Sequence, residues 1–455
     1  MAKTKTVFFC TSCGAESPKW LGRCPSCNEW NTYTEEKISR PAGSRSHPGS
    51  HGRMPELVSD IKSGDEPRIK LHGSEFNRIL GGGLVPGSVI LIGGEPGIGK
   101  STLALQVALH TPEVKTLYIS GEESSRQIKL RADRIGRDDG NCYILCETGL
   151  ESITGHLNNL KPRLVIVDSI QTLHTDHIDS PAGSVSQIRE SAGQLLRYAK
   201  ESSVPVLLIG HITKEGGLAG PKVLEHIVDV VLQFEGDHNH QYRVLRSLKN
   251  RFGSTSEIGL YEMQGDGLRE VDNPSEILIA DHHESVSGVA ISAMVDGIRP
   301  FLVEIQALVS SAVYGNPQRS STGFDLRRLS MLLAVLEKRA GFRLASKDVF
   351  LNVAGGLKVT DPATDLAVIS AVLSSDTDLP VAQDTCFAGE VGLSGEIRPV
   401  GRLQQRIGEA QKMGFKNIVI SSFHKKDALP EGHKINVIRC GKIEHLCRLL
   451  FKTGG

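Results

Sequence analysis

The sequence has few aromatic residues and no long apolar run. Aromatic residues make up 5% of the 455 residues, and two of them are Trp. No segment reaches the roughly 18 apolar residues that a membrane-spanning helix needs, and residues 1–10 lack the apolar core of a signal peptide. These absences argue against a membrane protein or a carbohydrate-binding protein. We therefore expect a cytoplasmic location and no membrane partner.

The chain also has no net charge, since 52 Lys and Arg residues balance 52 Asp and Glu residues. Any nucleic-acid contact must therefore come from a local basic patch and not from the field of the whole surface. The nine cysteines come without an export signal, which favours free thiols or metal thiolates over disulfides. A chain of this length is expected to form about two to four domains.

Four of the cysteines form two close pairs near the start of the chain. Cys10 and Cys13 make one Cys-x-x-Cys turn, and Cys24 and Cys27 make another after a gap of ten residues. Two such pairs supply the four sulfurs of a closed tetrahedral Zn²⁺ site, whereas a catalytic dithiol needs one pair. We expect a zinc ribbon over 1–34 that depends on its metal, because so short a segment buries little apolar surface. A flexible linker rich in Ser, Gly, Pro and Arg follows over 35–67.

The most informative motif is an eight-residue phosphate-binding loop. It fits G-x-x-x-x-G-K-[ST] and reads Gly94-Glu95-Pro96-Gly97-Ile98-Gly99-Lys100-Ser101. The apolar run before it predicts a buried strand, and Thr102–Leu109 after it predicts a helix. The backbone N–H groups of such a loop and the start of the helix would hold the phosphates of a nucleoside triphosphate. Lys100 would reach the β- and γ-phosphates, and the Ser101 hydroxyl would bind Mg²⁺.

Acidic residues follow two further strand-like runs. Asp168 ends the apolar run that begins at Leu164, where phosphate-loop enzymes carry the carboxylate on the Mg²⁺ side. Glu122 and Glu123 follow the run Thr116–Ser120, and open sheets bind ligands at the carboxyl ends of their strands. One of these two acids is expected to activate the water that attacks the γ-phosphate, and we favour Glu122 over Glu123. An acid pair that only stabilises a helix start gives the same pattern.

Apolar runs and helical segments alternate over 68–272, which predicts an α/β domain with a mostly parallel sheet. Its predicted strands are 89–93, 115–119, 142–146, 164–168, 204–209, 228–234, 242–248 and 257–262, and the last three are expected to form an antiparallel extension. A second α/β domain is predicted over 273–455. Its predicted strands are 288–294, 300–309, 349–353 and 417–420, and its predicted helices are 325–340, 363–374, 402–413 and 442–451.

Several segments match a known family. Residues 77–88, which lead into the phosphate loop, resemble the RecA-like ATPases. The stretch 211–236, the pentapeptide Lys249-Asn250-Arg251-Phe252-Gly253 and the four-cysteine ribbon together resemble the bacterial RadA (Sms) family of DNA repair ATPases. The resemblance covers essentially the whole chain. It implies a RecA-like ATPase core behind an N-terminal zinc ribbon, with ATP, Mg²⁺ and Zn²⁺ as cofactors.

The resemblance also implies roles for individual residues. It makes Glu122 the water-activating acid and His211 the polar sensor of the γ-phosphate, where RecA has a Gln. Residues 174–183 and 213–222 fall where RecA-like rings carry their DNA-binding loops. Lys249 and Arg251 fall where one subunit reaches across to its neighbour's nucleotide, although a solvated basic strand end would give the same pattern.

Residues from about 348 onward resemble the proteolytic domain of Lon. The segment Asp361–Asp365 falls at the Lon nucleophile, and 389–401 matches the hairpin that follows it. Ala363 then replaces the serine and Gln404 replaces the lysine base, and neither can perform the chemistry of the residue that it replaces. We therefore expect a proteolytically inactive domain, and the resemblance to the RadA family implies that it serves ring assembly and DNA contact.

The sequence thus predicts a DNA-dependent ATPase that assembles as a homo-oligomeric ring, expected to be a hexamer. The resemblance implies that it acts with the RecA recombinase on single-stranded and branched DNA, and that it drives branch migration during homologous recombination. Two alternatives stay open, an ATP-driven protein unfoldase or protease and a nucleotide-gated scaffold. Stimulation of ATP turnover by single-stranded DNA would distinguish the DNA-dependent ATPase from both alternatives.

Overall fold

The structure is a computed structural model of the chain. It describes residues 4–11, 14–39, 57, 68–136, 140–211, 222–236, 241–280, 285–312, 317–425, 429 and 432–451. The chain divides into two compact units. The first comprises Met1–Glu235 and Arg243–Glu270, and the second comprises Gly236–Tyr242 and Val271–Gly455.

A three-stranded antiparallel sheet forms the cysteine-rich segment of the first unit. Its strands are β1 (Thr4–Cys10), β2 (Glu16–Ser17) and β3 (Tyr33–Ser39), in the order β2-β1-β3. The buried cluster of this segment consists of Cys10, Cys24 and Tyr33. So small a core leaves most of the stability of the segment to a bound metal.

The segment from residue 68 to 270 alternates strands and helices, as the sequence predicts. The strands are β4 (Val89–Gly94), β5 (Thr116–Ser120), β6 (Cys142–Cys146), β7 (Leu164–Asp168), β8 (Val206–His211), β9 (Val230–Glu235), β10 (Tyr242–Asn250), β11 (Ile258–Gln264) and β12 (Gly267–Glu270). The helices are α1 (Glu75–Ile79), α2 (Lys100–Leu109), α3 (Ser125–Ile135), α4 (Leu150–Leu160), α5 (Val185–Ser202) and α6 (Lys222–Ile227).

These strands form one sheet in the order β12-β11-β10-β9-β4-β8-β7-β5-β6. The strands from β9 to β6 run parallel. Ile90 and Ile92 of β4 pack into one apolar cluster, while Val89 and Leu91 pack into another. Because successive strand residues face opposite sides, both faces of the sheet are covered, which explains why β4 is continuously apolar. The loops that follow β4, β5, β7 and β8 all leave the same edge of the sheet.

The antiparallel extension begins one strand later than the sequence predicts. Strand β9 lies parallel to β4, with Ile90 opposite Val230 and Gly94 opposite Phe234. Helix α6 lies between β8 and β9 in the chain, so the connection is long enough for a parallel crossover. Strand β10 then pairs antiparallel with β9, and β11 pairs antiparallel with β12.

The second unit is also mixed α/β. Its strands are β13 (Val289–Asp296), β14 (Arg299–Ser311), β15 (Arg319–Thr322), β16 (Lys347–Val353), β17 (Thr385–Ala388), β18 (Glu390–Val391), β19 (Ile397–Arg398), β20 (Asn417–Ser421) and β21 (Asn436–Cys440). Its helices are α7 (Pro274–Leu278), α8 (Leu326–Val335), α9 (Asp365–Thr377), α10 (Leu403–Lys412) and α11 (Ile443–Leu450). Across the described parts of both units, no helix has the length and apolarity needed to cross a bilayer.

A seven-stranded sheet organises this unit in the order β15-β16-β14-β13-β17-β20-β21. The long strands β13 and β14 form an antiparallel hairpin, while β17, β20 and β21 run parallel. Helix α9 packs against β13 and β14, and every residue from Asp365 to Ser374 is buried. A helix buried on all sides is the centre of a core and not a surface element.

Candidate functional site

The phosphate loop joins the end of β4 to the start of α2. Gly97 has φ 76° and Gly99 has φ 115°, in the left-handed region that residues with a Cβ rarely adopt. A Cβ at Gly94 would lie 2.9 Å from the carbonyl oxygen of Phe234. The path of the backbone therefore requires glycine at these positions, as in loops that wrap around phosphates.

Lys100 is buried in the first turn of α2, with 3% of its surface exposed. Its ammonium donates to the carbonyl oxygens of Gly94 at 2.9 Å and Glu95 at 2.8 Å. Burial lowers the pKa of Lys100 to about 8, although the charges of Asp168, Glu122 and Glu95 act in the opposite direction. The lysine thus folds back onto its own loop, where bound phosphates would offer it stronger, ionic partners.

Asp168 is buried at the end of β7 and has a partner on the neighbouring strand β5. Its carboxylate accepts a hydrogen bond of 2.5 Å from the Tyr118 hydroxyl. Burial and the Asp168 charge raise the pKa of Tyr118 well above its ordinary value, so the hydroxyl remains a donor. Sequence reasoning did not identify Tyr118. The available signal was that a tyrosine inside a buried strand needs a polar partner.

Glu122 lies between residues that follow two other strands. Its carboxylate accepts a hydrogen bond of 2.7 Å from Ser169 Oγ, directly after β7. The same oxygen lies 3.3 Å from His211 Nε2, at the end of β8. Both Glu122 and Asp168 interact electrostatically with Lys100. Four predicted site residues from four strand ends therefore meet at one edge of the sheet.

Glu123, the alternative acid, has a different environment. Its carboxylate forms an ion pair with Arg131 of α3, and its backbone N–H donates to Ser120 Oγ at 3.0 Å. Glu123 therefore holds the start of α3 against β5, whereas Glu122 faces the other strand ends. This difference could not be read from the sequence, because both acids follow the same strand.

The His211 side chain is only half satisfied. Its Nε2 faces Glu122, but its buried Nδ1 has no hydrogen-bond partner among the described residues, which omit 212–221 directly after it. Gln171 donates from Nε2 to the His211 carbonyl at 3.5 Å, and Gln171 Oε1 likewise has no partner within that part of the chain. Buried polar atoms rarely stay unsatisfied, so these atoms are suited to meet a polar ligand.

Lys249 and Arg251 lie at the opposite edge of the sheet from the phosphate loop. Asn250, between them, pairs with Val230 at the start of β9, whereas Gly94 pairs with the end of β9. The four residue steps from Val230 to Phe234 span about 13 Å of strand. The two cations are therefore too far from the phosphate loop of their own chain to act there.

Both cations have partners within the chain. The Lys249 ammonium donates to the carbonyl oxygens of Glu225 at 2.6 Å and Val228 at 2.7 Å. Arg251 pairs with the buried carboxylate of Asp229 at 3.4 Å. Burial, followed by the neighbouring Arg251 charge, lowers the pKa of Lys249. This geometry alone fits a basic strand end with structural contacts, the alternative that the sequence left open.

One buried glutamine fixes the path of the first predicted DNA-binding loop, 174–183. Gln187 of α5 accepts a hydrogen bond of 2.9 Å from the Thr175 N–H. It donates to the carbonyl oxygens of Thr175, Ile178 and Ser180 at 3.1, 2.9 and 3.0 Å. Sequence reasoning did not identify Gln187. The second predicted loop, 213–222, lies outside the described residues except for its last residue, which begins α6.

Three of the four predicted zinc ligands meet in the ribbon. The Sγ atoms of Cys10, Cys24 and Cys27 lie within 4.8 Å of one another, and those of Cys10 and Cys27 are 3.6 Å apart. Tetrahedral coordination with Zn–S bonds of about 2.3 Å places sulfurs about 3.8 Å apart. Cys13 lies outside the described residues. The donor set fits Zn²⁺, which would supply the stability that the small core lacks.

Ala363 and Gln404 are the residues that the alignment with Lon places at the serine nucleophile and the lysine base. Ala363 is fully buried, and Gln404 is exposed on α10. Two serines farther along the chain are buried and donate within their own helix region, Ser370 to Leu366 O at 2.7 Å and Ser374 to Leu379 O at 2.5 Å. Both hydroxyls therefore have structural partners within the chain.

Two ion pairs fasten this part of the second unit. Arg406 donates to Asp361 at 2.6 Å, and both side chains are almost fully buried. Arg328 pairs with Asp365, whose pKa is raised by burial against the opposing effect of the arginine. A cavity of about 700 Å³ is lined by both aspartates and by Arg328.

Family models match three separate parts of the chain. One described as an AAA domain matches residues 68–217, one described as a rubredoxin metal binding domain matches 8–35, and one described as subunit ChlI of Mg-chelatase matches 312–423. The first two coincide with the phosphate-loop core and the cysteine ribbon. The chain therefore carries an AAA-type ATPase domain and a zinc ribbon. The third covers much of the segment that resembles Lon, and that resemblance stays a prediction.

Curated relatives match along almost the whole chain. The DNA repair protein RadA of Bacillus subtilis is 50% identical over 92% of this chain and 93% of its own length. Those of Listeria monocytogenes and Halalkalibacterium halodurans are 49% and 48% identical over 92% of this chain. A KaiC-like protein from Pyrococcus horikoshii aligns in structure with 45% of this chain and 98% of its own, at 21% identity and a TM-score of 0.38. Because the RadA relatives are 48–50% identical over 92% of this chain, the chain belongs to the RadA family of DNA repair proteins.

Proposed function

We propose that the protein is a DNA-dependent ATPase that moves on single-stranded and branched DNA and drives branch migration of recombination intermediates. The observation that carries the proposal is the meeting of Lys100, Glu122, Asp168 and His211 at the edge where parallel strands end. That arrangement has the parts of a phosphoryl-transfer site. The relatives, named as DNA repair proteins, point to DNA as the polymer that the ATPase serves.

The phosphate loop would bind ATP through its backbone N–H groups and Lys100. The lysine would exchange the carbonyl oxygens of Gly94 and Glu95 for the β- and γ-phosphates. Ser101 and Asp168 would hold Mg²⁺, which neutralises charge on the phosphates. The Tyr118 hydroxyl keeps the Asp168 carboxylate in place.

Glu122 would orient the attacking water and accept its proton. Its side chain is partly exposed, and it accepts a hydrogen bond from Ser169 Oγ beside His211 Nε2. The His211 imidazole would form a hydrogen bond to the γ-phosphate and so sense its presence. The ion pair of Glu123 with Arg131 supports Glu122 over Glu123 in this role.

DNA would stimulate turnover through the partners of Glu122. Ser169 directly precedes the segment that leads into loop 174–183, and His211 directly precedes the segment that contains loop 213–222. A strand of DNA that moved these loops would move both hydrogen-bonding partners of the catalytic acid. The base is thus coupled to both proposed DNA contacts by single hydrogen bonds.

Lys249 and Arg251 would act on the nucleotide of a neighbouring subunit in a ring, which we propose to be a hexamer. Their place at the far edge of the sheet excludes action in cis, so a catalytic role requires a second copy. A cation supplied in trans stabilises charge on the transferring phosphoryl group. Arg251 is suited to this because Asp229 keeps a second partner, Lys200, when the arginine leaves.

The second unit would contribute to the ring and to DNA contact without proteolysis. Buried Ala363 and the structural hydrogen bonds of the nearby serines support this. The RecA recombinase would supply the joint molecules on which the motor acts. Branch migration and the partnership with RecA follow from the resemblance to the family.

The decisive experiment is ATP turnover with and without single-stranded DNA over a range of salt. We expect DNA to raise turnover severalfold, an effect that salt weakens because phosphate contacts dominate such binding. Lys100→Ala should abolish turnover, and Lys129→Ala, an exposed lysine on α3, should leave it unchanged. Equal turnover with and without DNA, together with no DNA binding in any nucleotide state, would refute the function.

A second assay tests the finer part of the proposal. Three-strand intermediates formed by RecA should be converted to products faster when the protein and ATP are added. Lys100→Ala protein should have no effect on this conversion. If DNA stimulated ATP turnover but the conversion of the intermediates were not accelerated, the branch-migration function would be refuted and the DNA-dependent ATPase activity would stand.

A further inference from the structure

The zinc ribbon displays both tryptophans of the chain on its surface. Trp20 is 53% exposed and Trp30 is 68% exposed, and the sequence contains no other Trp. A Cβ at Gly22 would lie 3.7 Å from the Trp20 ring and 4.0 Å from the Trp30 ring. The two indoles therefore flank a single glycine and form one aromatic surface.

Each ring has a contact within the ribbon that restrains it. Trp20 Nε1 donates to the Tyr33 carbonyl at 3.2 Å, which uses the polar atom of the indole and leaves its apolar body outside. The Arg23 guanidinium lies 5.7 Å from the centre of the Trp30 ring, and Arg23 Nε donates to the Asn28 carbonyl at 3.1 Å. The aromatic surface is thus preorganised, so binding to it costs little ordering entropy.

Packing of the ribbon does not account for these tryptophans. The buried cluster of the ribbon contains Cys10, Cys24 and Tyr33 and neither indole. Trp is the largest apolar side chain, and two of them exposed side by side mark a binding surface more often than chance exposure. The exposed side chains Lys19 and Arg23 stand beside the rings in the sequence.

We infer that this surface, the indole face formed by Lys19, Trp20, Leu21, Arg23 and Trp30, stacks unpaired bases of single-stranded DNA. Every base has a π-face, so indole stacking accepts any sequence, and flanking cations contact the phosphates. Arg23 already lies against Trp30 in the cation–π arrangement that accompanies such stacking. The inference rests on the proposed function, and it assigns the ribbon a direct role in holding DNA.

Charge favours DNA over a protein partner for this face. A surface that docks into an apolar groove of a protein would have aliphatic side chains around its rings. Leu21 is the one aliphatic member of the indole face. The two cations beside the rings outnumber the acid next to them in the sequence, Glu29, and match a polyanion that carries aromatic bases. A protein partner is therefore the outcome that the test must exclude.

Tryptophan emission tests the inference on the full-length, zinc-loaded protein, because all of it originates in the ribbon. Unlabelled oligo(dT) is titrated while emission is recorded, and anisotropy of a labelled oligo(dT) is followed in parallel. We expect quenching that saturates at the same oligonucleotide concentration as the anisotropy. Binding by anisotropy with unchanged emission would overturn the indole face and leave the proposed function intact. No binding by either signal would refute both.

Substitutions separate stacking from indirect quenching. Trp30→Ala should weaken oligo(dT) binding about fivefold, the effect of losing one base–aromatic stack, and Trp30→Phe should restore most of it. Leu130→Ala, which removes an equally exposed apolar side chain from α3, should bind like wild type. Zinc content of one ion per chain in each variant would verify that the ribbon is folded. Equal affinity of zinc-loaded Trp30→Ala and wild type would overturn the inference.

Discussion

If the phosphate loop binds a nucleotide as proposed, the amine of Lys100 exchanges its present partners for phosphates. In the structure it is buried against the carbonyl oxygens of Gly94 and Glu95, which are neutral acceptors. Burial disfavours the charged form, and this places its pKa at about 8. Anionic phosphates favour the charged form, so their arrival raises the pKa again.

Nucleotide binding should therefore take up a proton at alkaline pH. At pH 8.5 a group with a pKa of about 8 is about three-quarters neutral, and ADP binding should take up about that fraction of a proton. At pH 6.5 the amine is already charged, and uptake at this residue should vanish. Calorimetry in buffers of different ionisation enthalpy measures the uptake. Lys100→Arg is the matched control because arginine stays charged, and equal uptake in both proteins would contradict the assignment.

The two neighbouring acids should differ sharply in their effect on ATP turnover. Glu122→Gln removes the proposed base and should lower turnover by about 10²-fold or more, while nucleotide affinity changes little. Glu123→Gln breaks the ion pair with Arg131 and should lower turnover less than about tenfold, through looser placement of α3. Steady-state turnover and nucleotide titrations measure both effects. The reverse order of the two variants would transfer the role of base to Glu123.

Elements with a strong apolar pattern could be predicted from the sequence. The parallel strands β4 to β8 lie within about two residues of their predicted positions. All of them except the edge strand β6 are buried, and a strand covered on both faces reads as a continuous apolar run. Strand β15, with the sequence RSST, was not predicted because it has no apolar pattern and forms by pairing with β16. The direction of β9 could not be predicted either, since pairing partners are set by the whole sheet.

The candidate site divides in the same way. Lys100 and the glycines of its loop could be identified because a contiguous motif specifies them. Glu122 was favoured over Glu123 with the help of the family resemblance, but their different surroundings could not be predicted, because these depend on where Arg131 of α3 comes to lie. Tyr118 and Gln187 were missed for the same reason, since each acts through a partner distant in the sequence.

Helix α10 contributes a buried cation to the core of the second unit. Arg406 donates to Asp361, to the Ala293 carbonyl at 2.8 Å and to the Gly401 carbonyl at 3.0 Å. Breaking a buried pair by removing one partner typically costs about 3–5 kcal/mol. Arg406→Met should therefore destabilise the unit by about that amount.

Hydrogen exchange of the β13–β14 hairpin measures this loss locally, since Arg406 donates to a β13 carbonyl. Lys412→Met on the exposed face of α10 is the matched control, and it should retain protection close to wild type. Equal protection of the hairpin in the two variants would contradict a stabilising role for the Arg406–Asp361 pair.

At the scale of the molecule, the phosphate loop and the basic pair occupy opposite edges of one sheet. If the pair acts in trans, Lys100→Ala chains keep a working Arg251, and Arg251→Ala chains keep a working phosphate loop. Each variant alone should be nearly inactive. An equal mixture, refolded or exchanged into common rings, should recover about a quarter of wild-type turnover, the random fraction of interfaces that join two intact halves.

The measurement is DNA-stimulated ATP turnover of the mixture against the mean of the separate proteins. A mixture of Lys100→Ala with Lys100→Arg chains is the control, because both lack the natural lysine of the loop. Turnover equal to the mean of the separate proteins, after exchange has been verified with labelled chains, would contradict a role for Arg251 in trans.

Because the phosphate loop and the basic pair lie at opposite edges of the sheet, each copy has two different faces that a neighbouring copy could contact. In an open row of such copies, one terminal member would present a phosphate loop that no neighbour completes, and the other would carry an arginine with nothing to act on. Closing the row removes both loose ends at once. A closed circle would therefore hold one more complete site than an open row with the same number of copies, so that every copy in it could hydrolyse ATP.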